Sequence, residues 1–433
     1  MSDTSQLDEM VRAFDRNSVA RGSTCLDPER RESTELPPVE VIPFDAEAKA
    51  DAEFAGVIAR WQEVFDGDPD AHITQHPEYV LEELKAEALR AENESKKRLL
   101  SCGVLIAFGW RGWAGLAILV PKVLRLPLVP KLGPAWQLTG WRLAGNRFLG
   151  DPSGSVQVAL LQEAARYVGH SNRHMLLIED LDEQTELWRA VQSVDQRRTR
   201  VVLPVPFQER HRIRFPEEPD DYWKSFSSKT RNKFRRRLRK IGPIELLRVT
   251  ETEQVADFLR QAHQVSLHTW QTQQLGLRVR NDEREHRLLT RLARLGALRS
   301  YLLRRDGQPI AFLIGTQFNG RFDYEEVGYD RRFADYSPGQ VLLLKVLEDL
   351  QAERPPEWFD FGGGDASYKR LFATHSSKSG NVWLMPSTFR TSVTMGILKA
   401  QDTARRGLRA ALAGTGLLTK VRQWIRRGRW RRH

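Results

Sequence analysis

Cysteine is nearly absent: Cys25 and Cys102 are the whole supply in 433 residues. Two thiols so far apart imply no disulfide framework, which makes a reducing cytosol the expected compartment. They also supply no zinc-ligand spacing, and no metal site is expected. No Gly-x-x-x-x-Gly-Lys-Ser/Thr run occurs. Gly362-Gly363-Gly364 follows a strand without opening the helix that a dinucleotide fingerprint needs. The opening residues, MSDTSQLDEMVRAFDRN, have neither the basic nor the apolar region of a secretory signal. The expected location is therefore cytoplasmic, extending to the inner face of the plasma membrane.

Long apolar runs are scarce. Residues 103–120, GVLIAFGWRGWAGLAILV, approach the length of a membrane span. Arg111 and Gly112 stand at the middle, where a charge costs about 3 kcal/mol on insertion scales. The run reads instead as two buried strands joined by a turn at Trp110-Arg111-Gly112.

Positive charge is plentiful but local. The net charge is +11, yet residues 229–240 (KTRNKFRRRLRK) hold eight basic residues and no acid. Residues 399–433 hold eleven basic residues against Asp402 alone, so the remaining chain stands at about −7. Two patches on a mildly acidic body do not make the basic face of a general nucleic-acid binder. Phe234, Leu238 and Ile241 fall at i, i+4 and i+7, which predicts a helix with one apolar stripe under the first patch. A second helix is expected over 252–270. The tail from about Thr391 places Leu398, Leu408, Leu412, Leu417, Leu418, Val421 and Ile425 among arginines, with Trp424 and Trp430 near its end. A basic amphipathic helix with tryptophan suits an anionic lipid surface.

The most specific stretch runs from Asp335 to Phe372. Ser337-Pro338-Gly339 is a tight turn that launches the apolar helix QVLLLKVLEDL. The chain returns through a short strand, Trp358 to Phe361, into a glycine-rich loop carrying Asp365, Tyr368 and Lys369. Backbone N–H groups at such a turn point outward at a positive helix N-terminus and suit phosphate or pyrophosphate. Asp306-Gly307 and Asn319-Gly320 upstream are hairpin turns between apolar runs. The order is thus three antiparallel strands, a phosphate-type turn, a helix, a strand and a polar loop.

The pattern occurs twice. Gly150-Asp151-Pro152-Ser153-Gly154 precedes SVQVALLQEAARYV and then HMLLIEDL, with strand-like runs at 103–109, 114–120 and 124–130 upstream. Two α/β units are expected, about 41–205 and 206–390, after a disordered lead over 1–40 and before a basic tail over 391–433. Residues 200–215 would be the joining strands. The first unit has no counterpart of Asp365, Tyr368 and Lys369, so chemistry is assigned to the second.

In this order the chain resembles the GNAT acyltransferase fold. KTRNKFRRRLRKIG (229–242), YDRRFADYSPGQVLLL (329–344) and FDFGGGDASYKRLF (359–372) resemble, more narrowly, the cellulose-biosynthesis CelD-type acetyltransferases, relatives of the Fem-type aminoacyl transferases. The resemblance covers roughly residues 40 to 390. It implies a tandem GNAT-like α/β fold and an acyl-CoA co-substrate such as acetyl-CoA, gripped by Ser337, Pro338, Gly339, Gln340 and Val341. It also implies a polar acceptor such as an amino sugar or envelope-polysaccharide precursor. Tyr368 is the expected acid at the leaving sulfur. Lys369 is expected at a phosphate or an acidic acceptor. For the base the residues offer Glu325, Glu326 and Asp360, with Asp365 a further rival. Alternation places Glu326 with Phe322 and Tyr324, and Glu325 with Asp323 and Val327, on opposite faces. His268 is expected at the acceptor cleft, and His375 has the same two readings, functional and structural. Each of these groups also has a purely structural reading, as a cap, a satisfied core group or a solvated side chain. Two other functions fit the residues: Fem-type transfer from aminoacyl-tRNA, which the basic helix and the duplication suit, and a non-catalytic scaffold tethered to membrane by its tail.

Overall fold

The computed structural model describes residues 39–46, 54–89, 91, 94–109, 112–129, 132–171, 173–269 and 279–414. Its strands are β1 (Val39–Asp45), β2 (Cys102–Phe108), β3 (Gly115–Val129), β4 (Leu132–Leu143), β5 (Leu149–Gly150), β6 (Leu176–Asp182) and β7 (Thr199–Val202). They continue as β8 (Gln208–Arg214), β9 (Glu245–Val249), β10 (Ser300–Arg305), β11 (Gln308–Phe318), β12 (Arg321–Tyr329), β13 (Trp358–Asp360) and β14 (His375–Pro386).

The hairpin signals act as their chemistry requires. Asp306 and Gly307 have φ of 49° and 75°, and Asn319 and Gly320 have φ of 42° and 70°. Both pairs turn left-handed, which matches the twist of the strands they join. They fold β10, β11 and β12 into an antiparallel meander. The helix Pro338–Ala352 then returns the chain to β13, which runs parallel to β12.

The first half repeats this. β2, β3 and β4 form a meander, the helix Gly154–His170 follows, and β6 runs parallel to β4. The expected strands at 114–120 and 124–130 are in fact one strand, the 15-residue β3, which passes through Pro121 and Pro127. The third strand of the meander is β4. Trp110 and Arg111, at the expected turn, lie outside the described residues.

Both faces of each meander are covered, which explains the unbroken apolar runs. Val104, Ile106 and Phe108 of β2 pack with Val156, Leu160 and Ala164 of the helix Gly154–His170. Leu105 and Ala107, pointing the other way, pack with Trp61, Phe65, Val80 and Leu84. In the second half Leu303, Leu313 and Phe322 meet Val341, Leu344 and Leu347. Leu302 and Phe312, on the opposite face, meet Phe258, Leu259 and Ala262 of the helix Thr252–Leu267. The segment that mimics a membrane span is therefore sheet core. Among the described residues no helix is long and apolar enough to cross a membrane.

The two halves join edge to edge by exchanging strands. The sheet order is β1-β2-β3-β4-β6-β14-β8-β13-β12-β11-β10-β9. β8, which follows the first half in sequence, pairs with β13 of the second, and β14, at the end of the second, pairs with β6 of the first. β8 and β14 pair with each other at the centre. Ion pairs add a second seam: Arg287 reaches Glu82 at 2.6 Å and Arg291 reaches Glu78 at 2.6 Å.

The basic segment is a helix over Ser228–Ile241, with Phe234 and Ile241 buried. None of its eight cations has a carboxylate within ion-pair distance among the described residues. Of the tail, the helix Phe389–Gly414 is described. Residues 415–433, with Trp424 and Trp430, lie outside the described residues, as does the lead over 1–38.

Candidate active site

β12 and β13 pair only from Arg321–Trp358 to Asp323–Asp360. Beyond that they part. β12 continues to Tyr329 while the other chain turns into the glycine loop, and a cleft of about 460 Å³ opens between them. Its second-half wall carries Asp323, Tyr324, Glu325, Val327, Asp360, Tyr368 and Lys369. Its first-half wall carries His72, Arg142, Glu179 and Asp180, with Arg210 of the exchanged strand β8 between them.

A β-bulge decides which glutamate faces this cleft. Ile314 pairs with Glu326 and the next residue, Gly315, pairs with Tyr324. Glu325 is the extra residue, and a bulge re-aims the side chain it carries. The expected strict alternation therefore fails here: Tyr324 and Glu325 both line the cleft, and Glu326 does not. Glu325 accepts a hydrogen bond from Thr316 Oγ1 at 3.0 Å. Its residue as a whole is exposed, and it opens onto the cleft. Burial chiefly, and then the charge of Asp323, push its carboxyl up to about 7. That is the range of a working general base at neutral pH.

Tyr368 stands on the short helix Ser367–Phe372 after the glycine loop. Tyr368 lines the cleft beside Tyr324, so its hydroxyl opens onto the same space as Glu325. Burial holds both phenols above their ordinary range.

The other expected site residues have structural work. Asp360 is 2% exposed and takes Arg210 at 2.8 Å and the Gly362 N–H at 2.8 Å. It anchors the loop. Lys369 donates to the carbonyls of Phe361 at 2.8 Å and Gly363 at 2.9 Å, so its ammonium staples the loop. Asp365 is tied to His211 at 3.1 Å, and His211 to its cross-strand neighbour Ser376 at 2.9 Å. His268 closes the helix Thr252–Leu267 and, like exposed His375, does not line the cleft.

The turn at Ser337 lies at the far end of β12. Ser337 is left-handed, with φ 56° and ψ 48°, and its carbonyl accepts from the amides of Gln340 at 3.0 Å and Val341 at 3.1 Å. Pro338 has no N–H. Gly339 alone of the five offers an amide with no internal partner among the described residues. A Cβ there would come 3.2 Å from Tyr329 Cδ1. From Glu325 to Tyr329 is about 13 Å at strand rise, along an edge that β13 has vacated.

Two features had no sequence signal. His72, 251 residues before Asp323, bonds it at 3.2 Å. The His72 Nδ1 accepts the Thr74 amide, so Nε2 carries the proton that Asp323 receives. Arg321 holds Asp323 as well, at 3.0 Å. These partners keep Asp323 ionised, well below the ordinary carboxylate range despite its burial. The other feature is Arg210, which only the strand exchange brings to the cleft.

Residues 228–370 match the family described as acetyltransferase (GNAT) domain, about a third of the chain. No curated protein matches. Among solved structures, FemX superposes with a TM-score of 0.54 at 12% identity, covering 79% of this chain and 98% of its own. L-PGS from Bacillus licheniformis gives 0.44 at 13%, covering 75% and 96%. A tandem GNAT protein from the clavulanic acid biosynthesis pathway gives 0.42 at 12%, covering 81% and 99%. The fold is a tandem GNAT-like mixed α/β sheet, and residues 228–370 carry its GNAT acetyltransferase-like part.

Proposed function

We propose that the chain is an acyl-CoA-dependent acyltransferase acting on an amine or hydroxyl of a polar acceptor by direct attack. The observation that carries this is that Glu325 and Tyr368 line one cleft at the opening between β12 and β13. Glu325 takes the proton of the attacking group as the new bond forms at the thioester carbonyl. The carbon–sulfur bond breaks, and Tyr368 gives its proton to the departing sulfur. The proton on Glu325 returns through water to Tyr368. The free edge of β12 offers main-chain groups to the amides of the donor's arm, and the Gly339 N–H at the helix start offers a contact to its pyrophosphate. A cysteine intermediate is not part of the scheme, since Cys102 does not line the cleft.

The finer assignment draws on the resemblance to the cellulose-biosynthesis family: acetyl-CoA as donor, an amino sugar or envelope-polysaccharide precursor as acceptor, and units of about 41–205 and 206–390 with the site in the second. The test is calorimetry with acetyl-CoA and a free-thiol assay with glucosamine. Acetyl-CoA binding with turnover that Glu325→Gln and Tyr368→Phe abolish supports the reading. Failure to bind acetyl-CoA overturns it.

A second reading, transfer from aminoacyl-tRNA, is favoured by the unneutralised basic helix Ser228–Ile241. It predicts a gel shift with charged tRNA that weakens steeply with salt. A membrane-associated scaffold, docked through 399–433, would bind neither donor.

A further inference from the structure

Each carboxylate bordering the cleft has a hydrogen-bond donor among the described residues, except one. Asp360 has Arg210 and Gly362, Asp323 has His72 and Arg321, Glu325 has Thr316, and Glu179 has Lys122 at 3.3 Å. The carboxylate of Asp180 has none, although its main chain is fixed on both sides. Its N–H donates to Asn381 Oδ1 at 3.0 Å, and its carbonyl accepts from Arg210 Nη1 at 3.0 Å. These bonds hold a non-glycine residue at φ 47°, a left-handed conformation that costs roughly 1 kcal/mol or more.

That conformation turns the side chain toward the glycine loop, and the loop makes room for it. A Cβ on Gly363 would lie 2.9 Å from Asp180 Oδ1. Gly363 is not itself left-handed, and what a side chain there would crowd is the carboxylate. Arg210 and Lys369 are the nearby cations, but both are spent, on Asp360 and on loop carbonyls. An isolated carboxylate in a half-buried site is costly unless a cation joins it. Burial, with Asp360 and Glu179 close by, accordingly holds the Asp180 carboxyl above its ordinary range.

We infer that Asp180 is the acceptor-reading group of the cleft, taking a cationic nitrogen of the acceptor and so selecting amine-bearing acceptors over neutral ones. This rests on the acyl-transfer reading and gives the two halves separate tasks. The second half supplies the proton-transfer pair, and the first supplies recognition through the end of β6. A protonated amino group fits because it brings three donors and one positive charge to an acceptor-only partner.

The test is calorimetry of the full chain with glucosamine against glucose, and with lysine against 6-hydroxynorleucine. In wild type the amine of each pair is expected to bind at least about tenfold more tightly, the scale of one charge-assisted hydrogen bond. Asp180→Asn should erase the preference while leaving acetyl-CoA affinity and melting temperature unchanged. Gly363→Ala, which crowds the carboxylate, should reduce the preference in the same direction. Equal or absent binding of both members of each pair by wild type overturns the inference. So does a preference that survives Asp180→Asn. If acetyl-CoA does not bind but the amine preference exists and Asp180→Asn removes it, the donor reading falls and the amine site stands.

Discussion

The two halves share a meander, a turn, a helix and a parallel strand, yet they treat the turn oppositely. In the first half, Asp68 lies beside the turn before the helix Gly154–His170. Its carboxylate takes the Gly150 N–H at 2.9 Å, the Asp70 N–H at 2.9 Å and Arg147 at 3.0 Å. A neighbouring hollow of about 410 Å³ is bordered by Asp68, Asp70 and Asp151, with Arg147 paired to Asp68. In the second half no side chain among the described residues plays this part, and the Gly339 amide has no partner among them. The returning strands differ as well. β6 runs on to Asp182 as a paired strand, whereas β13 stops after three residues and hands over to the glycine loop and Tyr368. One copy sets a carboxylate of its own, Asp68, against the backbone before its helix. The other has kept strand ends apart to make a cleft.

Glu325→Gln breaks this comparison most directly. It should lower kcat by about 10²–10⁴-fold, the range for a lost general base, and a free-thiol assay reads it. Next is Arg210→Ala, which leaves Asp360 buried and unpaired in the exchanged-strand seam. It should cost about 3–5 kcal/mol in urea unfolding. Asp68→Ala should cost about 1–3 kcal/mol of stability by stripping partners from buried donors, with kcat unchanged. A matching fall in kcat would mean that the first half shares in the chemistry.

The smallest effect is the pH dependence. Glu325, pushed up to about 7, is a base only when ionised, so activity should rise through pH 7. Asp323→Asn removes a negative neighbour and should move that limb to lower pH. Stability runs the other way, because a carboxyl raised in the fold favours its protonated form. That contribution is complete below the ordinary value of 4.5 and is lost as pH rises through about 7. Glu325→Gln, which cannot ionise, should therefore gain in melting temperature relative to wild type above pH 7.

Local chemistry was legible in the sequence. The two Xaa-Gly hairpins, the helix launched at Pro338 and the repeat around residue 150 all follow from turn residues and apolar spacing. Contacts made by topology were not legible. His72 reaches the cleft from the other half and Arg210 reaches it on the exchanged strand β8, and nothing near either residue marks it. The bulge at Glu325 was hidden too, since Tyr324-Glu325-Glu326 reads as plain alternation until Gly315 on the partner strand is placed. Asp360 and Lys369 look reactive in order, while their bonds in the fold, to the distant Arg210 and to main-chain carbonyls, hold the loop.

The exchange of β14 also sets a timetable for synthesis. β6 leaves the ribosome about 200 residues before the strand that covers it, so at 5–20 residues per second its edge waits roughly 10–40 s for a partner. Throughout that interval the nascent first half presents an uncapped ladder of amides and carbonyls to its surroundings. Shielding by a chaperone, or slow handover between ribosomes, would matter most for this one edge.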